Sequence, residues 1–303
     1  ALTPQPEVTF TVSNQIAPIN LDKVPEISDR SAAIAASLPG RDISLETSMV
    51  VSGQSKFVSV ELPRNKWDRV ELLHFTDLQY GNSQCNEKKI IEYRDWVLAE
   101  PNRLALFGGD MCDYNTMLSV GKGAMEQRFD PDEQVLSLAE ILAPISHRVI
   151  GYVGGNHEQR GQKIGHDFGA HLASLLRIPY SAGIQHIDLY FGKWKPFKIY
   201  LWHGRGGART MGAKAQIMGT VVSHDRANLY ISGHTHSALV IPGSHIERDH
   251  KAKQVRMEKY YCVSSTSFMN YYGTYAESAY YAPNFLLMGA AIVYPNRTFR
   301  ISI

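Results

Sequence analysis

The sequence predicts an α/β fold: a sandwich of two mixed β-sheets flanked by helices. Three observations support this prediction. Strand-like apolar runs alternate with helical patterns between residues 67 and 176, and strand-like runs separated by turn residues dominate after residue 176. Five of the predicted strands end in short polar segments. Strand-helix units followed by a mostly β region are typical of helices that cover a sheet sandwich.

The composition is that of an ordinary folded domain. The chain has 303 residues, of which 44% are hydrophobic and 20% charged, with a formal net charge of +2. This charge neither requires nor excludes a nucleic-acid partner, because a local basic patch would suffice. Cys85, Cys112 and Cys262 are too scattered for a disulfide framework, so a reducing, cytoplasmic setting is predicted. No apolar run reaches the roughly 18 residues of a membrane span, so no membrane association is predicted.

Residues 1–65 differ from the rest and are predicted to form an N-terminal extension to a main domain over residues 66–303. A short helical pattern covers residues 31–38. Alternating runs at residues 8–12 and 57–62 are typical of edge strands. The extension carries no catalytic signature and is punctuated by six prolines: Pro4, Pro6, Pro18, Pro25, Pro39 and Pro63.

The main domain begins with three predicted strand-helix units. Asp130, Pro131 and Glu133 are typical of a helix start, with an acidic cap followed by proline at the first helical position. Helices are also predicted by apolar periodicity at residues 86–99 and 168–176. The predicted strands cover residues 70–75, 104–107, 148–153, 187–191, 197–202, 229–232, 239–242, 257–263 and 286–293.

The polar segments that follow these strands suggest a metal site. They are Phe75-Thr76-Asp77-Leu78-Gln79-Tyr80-Gly81, Gly108-Gly109-Asp110, Gly155-Asn156-His157-Glu158, His203-Gly204 and Gly233-His234-Thr235-His236. A lone Asp or His after a strand is usually a cap, a turn residue or a satisfied core group. Five such segments in one chain supply the carboxylate, amide and imidazole donors that two divalent cations need above a phosphate. The sequence therefore predicts a metal-dependent phosphoester hydrolase.

These segments resemble the motif set of the calcineurin-like metallophosphoesterase superfamily over residues 69–236. The run from His203 to Gly207, with Thr210-Met211-Gly212 and residues 264–281, further resembles phage- and prophage-type members. The resemblance implies a metallophosphoesterase sandwich in residues 66–303. It also implies two divalent metal ions, with Mn²⁺ favoured and Zn²⁺, Fe or Ni²⁺ as alternatives.

Residue roles follow from the same resemblance, position by position. Asp110 would bridge two metals, and a bridging hydroxide would attack phosphorus. His157 would lie beside the scissile bond, with Glu158 orienting its imidazole and Asp113 supporting the site. The metal ligands implied are Asp77, Gln79, Asp110, Asn156, His203, His234 and His236.

Gln79 departs from the family pattern, which places histidine two residues after the first aspartate. A glutamine oxygen can bind a divalent cation, but it is a weaker donor than imidazole to zinc-like ions. Either Gln79 is a weak ligand that favours manganese, or it does not bind metal and water completes the coordination. A third alternative is an inactive site, although every other ligand type is present.

Two further groups of side chains bear on the substrate. Of the cations near the site, Arg205 is the strongest prediction for binding phosphate oxygens, and solvated surface charge is the alternative for it as well as for Arg160, Arg209 and Lys214. A tyrosine-rich C-terminal part would suit nucleobase stacking or ordinary strand packing. It contains Tyr260, Tyr261, Tyr271, Tyr272, Tyr275, Tyr280 and Tyr281.

The predicted substrate is a phosphodiester, with nucleotides and nucleic acids as the classes considered. The segment from Gly109 to Asn115 lacks the Val-Asp-Arg-Gly ending that resembles protein phosphatases. The alternatives are a phosphomonoesterase and a non-catalytic scaffold with the same fold. The sequence gives no prediction of oligomeric state.

Overall fold

The computed structural model describes residues 23–302 except residues 52, 64–65, 117–118, 120–126, 194, 251, 279, 281 and 284, and only the backbone of residues 23–25, 49–51 and 275. The strand predicted at residues 8–12 lies outside the described residues. No helix in the described part of the chain is long and apolar enough to cross a bilayer.

The described residues form helices and strands in the predicted alternation. The helices are α1 Lys23–Ser37, α2 Glu87–Ala99, α3 Pro131–Leu142, α4 Asn156–Gln162, α5 Phe168–Leu176, α6 Met211–Thr220 and α7 Tyr275–Ser278. The strands are β1 Ser44–Val51, β2 Gln54–Glu61, β3 Val70–Phe75, β4 Arg103–Phe107, β5 Val149–Val153, β6 Tyr180–Ser181, β7 Ile184–Tyr190, β8 Phe197–Trp202, β9 Leu229–Ser232, β10 Leu239–Asp249, β11 Gln254–Ser264, β12 Ala290–Val293 and β13 Phe299–Ser302.

The strands assemble into two mixed sheets. The larger sheet has the order β1-β2-β7-β8-β9-β11-β10, and the smaller has the order β13-β12-β3-β4-β5-β6. Strands β3, β4, β5 and β6 run parallel, whereas β12 is antiparallel to β3. In the larger sheet β8, β9 and β11 run parallel. The predicted sandwich of two mixed sheets flanked by helices is confirmed.

The hydrophobic core consists of three clusters of buried side chains, one between the sheets and one on the outer face of each sheet. Between the sheets, Leu72 and Leu106 of the smaller sheet belong to the same buried cluster as Ile199 of the larger one. Helices α1, α2, α3 and α5 cover the outer face of the smaller sheet. Helix α6 covers part of the larger sheet through Met218. Because both faces of β3, β4 and β5 are covered, nearly every side chain of these strands is buried, including Glu71 and His74 of β3.

The region predicted to be an N-terminal extension contributes a helix and two strands. The prediction of an edge strand at residues 57–62 is wrong, because β2 lies between β1 and β7. Its side chains Val58 and Val60 are fully buried in the core between the sheets. Helix α1 packs on α3, where Arg30 forms ion pairs with Glu133 and Glu140.

Candidate metal centre

The parallel strands of both sheets place the polar segments together. Asp77 follows β3, Asp110 follows β4 and Asn156 opens α4 directly after β5, so all three lie at the carboxyl edge of the smaller sheet. His203 follows β8, and His234 follows the parallel strand β9. Carboxyl ends of parallel strands are the usual location of sites in α/β folds.

Asp77 and His236 form the first group of donors. The Asp77 carboxylate is fully buried, and its Oδ1 lies 3.0 Å from His236 Nε2. Its Oδ2 accepts hydrogen bonds from the Thr76 hydroxyl at 2.7 Å and the His234 backbone N–H at 2.8 Å. Burial raises the pKa of Asp77, but the charge of His236 and its hydrogen bond outweigh this and lower the pKa. The carboxylate is therefore ionised and fixed.

Asp110, Asn156, His203 and His234 form the second group. One donor atom each from Asp110, His203 and His234 lies within 4.8 Å of the others. Asp110 Oδ2 is 3.3 Å from His203 Nε2. Asn156 Oδ1 lies 2.8 Å from His234 Nδ1 and 3.2 Å from His203 Nε2. Oxygen and nitrogen donors from separate loops thus point at one small volume.

Backbone carbonyls fix which nitrogen of each imidazole faces this volume. His203 Nδ1 lies 2.7 Å from the carbonyl oxygen of Gly108, and His234 Nε2 lies 2.8 Å from that of Gly206. Each of these nitrogens donates its proton to the carbonyl, which leaves the other nitrogen as the ligand atom. His203 Nε2 and His234 Nδ1 lie 3.2 Å apart. The donor set therefore fits a divalent cation of the borderline type.

The electrostatics around Asp110 favour positive charge at His203, whereas burial and the charge of His203 lower the pKa of His234. Burial lowers the pKa of His203, but the charge of Asp110 and a hydrogen bond to it raise the pKa to about 10. Burial alone would raise the pKa of Asp110. The charges of His157 and His203 outweigh this effect and hold the pKa of Asp110 far below its usual range. The buried Asp110 carboxylate is therefore ionised, with the imidazoles of His157 and His203 beside it.

The backbone at the site adopts a conformation that L-residues rarely take. The φ angles are +52° at Asp77, +46° at Gln79, +52° at Asp110, +63° at His234 and +49° at His236. Such left-handed residues cost free energy and cluster at functional sites. Five of them among the seven predicted ligands is a structural sign of function.

Two glycines of the predicted segments leave room for the carboxylates. A Cβ added to Gly155 would lie 2.2 Å from Asp110 Oδ1, and one added to Gly233 would lie 2.1 Å from Asp77 Oδ2. Any side chain at these positions would displace a carboxylate, because close approach of the backbone requires glycine.

Glu158 supports the Asp110 turn. Its Oε2 accepts hydrogen bonds from the backbone N–H groups of Asp110 at 2.9 Å and Gly155 at 2.8 Å. Its Oε1 accepts from the backbone N–H of Met111 at 3.1 Å and from the Tyr152 hydroxyl at 2.9 Å. The carboxylate therefore holds the loop after β4 against the start of α4.

The imidazole of His157 is oriented by a different group from the one expected. Its Nδ1 lies 2.7 Å from the backbone carbonyl oxygen of Asp113, which also accepts from Arg160 Nη1 at 2.9 Å. Its Nε2 lies 3.6 Å from Asp110 Oδ2. The expectation that Glu158 orients this ring is corrected, because the bonds of that carboxylate go to backbone N–H groups and a tyrosine.

Sequence reasoning missed the residues that hold Asp113. Asn82 Nδ2 donates to Asp113 Oδ2 at 3.0 Å, and Asn115 Nδ2 donates to the same oxygen at 2.7 Å. Asp113 is 3% exposed, so these bonds satisfy a buried carboxylate. Asn115 could have been found from its place two residues after Asp113, but Asn82 carries no signal in the sequence.

The four predicted phosphate-binding cations separate into two kinds. Arg160 holds the Asp113 carbonyl. Lys214 is 5% exposed and donates to the Thr235 carbonyl at 3.1 Å, within the turn that carries both imidazoles after β9. Arg160 and Lys214 therefore support backbone carbonyls of the site. Arg205 is exposed, on the loop after His203, and forms no hydrogen bond or ion pair with the residues that the structure describes; Arg209 is exposed on the same loop.

Gln79 lies beside the first group of donors. Its side chain is 9% exposed, and its amide nitrogen lies 3.5 Å from His236 Nε2. A rotation of the amide exchanges its oxygen and nitrogen, which ordinary structures do not distinguish. The position fits both alternatives, a glutamine ligand and a glutamine beside a water ligand.

Replacing Gln79 with histidine distinguishes these alternatives. If Gln79 is a ligand, the imidazole is a stronger donor, and the affinity for Zn²⁺ should rise by at least about tenfold, since even outer partners of metal ligands change affinity by about 10–100-fold. Titration calorimetry of metal-depleted protein measures this, with Gln84→His in the same loop as the control. Unchanged affinity would exclude Gln79 from the coordination sphere.

Comparison with known proteins gives the following result. No family model and no curated protein matches the chain. Calcineurin-like phosphoesterases are among its structural neighbours. YfkN from Bacillus subtilis, a calcineurin-like phosphoesterase, matches at 12% identity over 77% of this chain and 88% of its own, with a TM-score of 0.36. A predicted phosphoesterase from Streptococcus pneumoniae matches at 12% identity over 78% of this chain and 98% of its own, with a TM-score of 0.33.

A third neighbour was solved with a metal. Vps29 from Entamoeba histolytica, complexed with Zn²⁺, matches at 14% identity over 77% of this chain and 97% of its own, with a TM-score of 0.32. Likeness at this level is not evidence of activity.

Proposed function

We propose that this chain is a metal-dependent phosphodiesterase. The observation that carries the proposal is the convergence of Asp110 Oδ2, His203 Nε2 and His234 Nδ1, with Asn156 Oδ1 beside them. Carbonyl acceptors fix both imidazoles so that their free nitrogens face each other. An arrangement of buried donors in strained turns serves ligand binding better than it serves stability.

The proposal assigns the donors to two divalent cations that share Asp110. Asp77 and His236 would hold one cation, with Gln79 beside it. Asn156, His203 and His234 would hold the other. Such ions, when bound, supply an acidified water and offset the charge of the phosphate. The oxygen-rich first group favours manganese.

The remaining residues act on the substrate. His157 has its Nδ1 held by the Asp113 carbonyl, so Nε2 is the nitrogen that faces the site. Nε2 is therefore the nitrogen that would give a proton to the leaving oxygen. Arg205, exposed beside the second group, binds a non-bridging phosphate oxygen with its guanidinium.

Two chromogenic esters test the proposal. Manganese-loaded protein should hydrolyse bis(p-nitrophenyl) phosphate with a kcat/KM at least about tenfold above that for p-nitrophenyl phosphate, a difference of about 1.4 kcal/mol in activation free energy. Chelation followed by addition of Mn²⁺ should remove and restore this turnover. A preference for the monoester would overturn the diester assignment, and absence of both bound metal and Mn²⁺-stimulated turnover would indicate a non-catalytic scaffold.

A further inference from the structure

The segment between β11 and β12 is rich in aromatic residues and poor in charge. Residues 265–288 contain seven aromatic residues and one charged residue, Glu277. We call this segment the aromatic excursion. It contains neither lysine nor arginine. Its composition is therefore unlike that of a solvated loop or of a surface that attracts a phosphate backbone by charge.

The aromatic excursion begins at the metal centre. The backbone N–H of Phe268 donates to the carbonyl oxygen of Asp77 at 3.0 Å. The far end returns to the same place, since the backbone N–H of Thr266 donates to the carbonyl oxygen of Leu287 at 3.0 Å. Phe268 is fully buried and stacks on Phe75 of β3, with ring centroids 6.3 Å apart. Its base is thus fixed beside a proposed ligand.

Three of the described rings in the aromatic excursion are exposed to solvent. Tyr272 is 76% exposed, Tyr280 is 90% exposed and Phe285 is 88% exposed. No other aromatic side chain in the described part of the chain is exposed to solvent in this way. The backbone near Tyr272 is tied to the loop after Gln79, because Asn270 N–H donates to the Gln84 carbonyl oxygen at 3.0 Å. The base of the aromatic excursion and the backbone two residues before Tyr272 therefore lie against the loop that carries Asp77 and Gln79.

Exposed aromatic faces beside a phosphoester site fit a substrate that has a flat ring close to its phosphate. Nucleobases stack on such faces with little regard to their identity. A membrane surface is a poorer fit, because an anionic bilayer attracts lysine and arginine, which the aromatic excursion lacks. A nucleotide has both features that this surface would bind: a charged phosphate for the metals and a flat base for the exposed rings.

We propose that Tyr272, Tyr280 and Phe285 stack the base of a nucleoside-bearing phosphodiester whose phosphate lies at the metal centre. The inference rests on the proposed phosphodiesterase function and names its substrate class. The three rings contribute to binding of the nucleoside and not to the chemical step. Their removal should therefore act on nucleoside substrates alone.

The test compares two esters with the same leaving group. The variant carries Tyr272→Ser, Tyr280→Ser and Phe285→Ser, and thymidine 5′-(p-nitrophenyl phosphate) is compared with ethyl p-nitrophenyl phosphate. We expect kcat/KM to fall at least about tenfold for the thymidine ester, as for the loss of a stacked base, and to stay unchanged for the ethyl ester. An equal effect on both esters, or no effect, would overturn the inference.

The controls separate this inference from the function on which it rests. Ile246→Ser, Val255→Ser and Met257→Ser together remove side chains that are 60%, 70% and 77% exposed on the β10–β11 hairpin, and should change neither rate. Tyr280→Ser alone is the second variant, in case the triple variant does not fold. If manganese-loaded protein hydrolyses neither ester, the proposed function fails.

Calorimetric binding of thymidine 5′-monophosphate then decides the inference independently of turnover. Wild-type affinity at least about tenfold above that of the triple variant would support the stacking surface, as expected for the loss of a stacked base. Equal affinities, or no binding by the wild type, would overturn it.

Discussion

Replacing Asp110 with asparagine should abolish binding of both cations and, with it, turnover. The amide keeps the shape of the carboxylate and can still accept the His157 backbone N–H, which lies 2.8 Å from Asp110 Oδ1. It removes the charge that both proposed cations share. Because loss of an outer partner alone costs about 10–100-fold in metal affinity, loss of this ligand should cost at least about 100-fold. Metal analysis after gel filtration, with turnover of bis(p-nitrophenyl) phosphate, measures both effects.

Thermal unfolding gives a second readout of the same variant. A ligand that binds only the folded state raises the unfolding temperature, so Mn²⁺ should stabilise the wild type and not Asp110→Asn. Asp188→Asn, at a partly buried carboxylate on β7, is the matched control and should keep the Mn²⁺ effect. If Asp110→Asn retains two equivalents of metal, the shared-carboxylate proposal is wrong.

His157→Ala should lose turnover and keep its metals. The imidazole Nε2 lies 3.6 Å from Asp110 Oδ2, while Nδ1 is bonded to the Asp113 carbonyl. Neither nitrogen belongs to the group of donors that converges with His203 and His234. Loss of a proton donor of this kind costs about 10²–10⁴-fold in rate. Steady-state kinetics at saturating Mn²⁺ measures kcat, and metal analysis of the same sample measures occupancy.

The control for this variant is His224→Ala, which removes an exposed imidazole outside the site and should leave kcat unchanged. His157 itself is 5% exposed, so the unfolding temperature of the variant must be compared with that of the wild type. Loss of metal together with turnover would identify His157 as a ligand and refute its assignment as the proton donor.

Some elements of the fold could be predicted because their pattern is local. Strand β3 and helix α5 have the bounds expected from the sequence, and α3 begins at the predicted cap, Asp130. Strands β3 and β4 are mostly apolar because both faces are covered, with Glu71, His74 and Arg103 as the exceptions. A cap and a continuous apolar run depend on neighbouring residues alone, so no knowledge of the rest of the chain was needed.

Other elements depend on partners far along the chain. The sequence of β2 alternates like that of a half-buried strand, and in the structure only alternate residues such as Val58 and Val60 are fully buried. Its place inside the sheet is decided by pairing with β7, more than 120 residues away. The β10–β11 hairpin extends beyond the predicted strands at residues 239–242 and 257–263 because its tip is exposed and rich in charged residues. The strand predicted at residues 286–293 is shorter, Ala290–Val293.

For the candidate site, the identity of the donors was predictable and their support was not. The side chains of Asp77, Asp110 and His203 had to lie at strand ends, and parallel pairing brings those ends together. The bonds of Glu158 depend on backbone N–H groups that point inward only after the left-handed turn at Asp110 has formed. No pattern of side chains in the sequence carries that information.

The most direct test of the shared-carboxylate centre is a crystal structure of the manganese-loaded protein, with anomalous differences collected at the manganese edge. We predict two peaks about 3.5–4 Å apart, as in other two-metal sites. One peak should lie among Asp77, Asp110 and His236, and the other among Asp110, His203 and His234. A single peak, or peaks that do not share Asp110, would contradict the proposed centre.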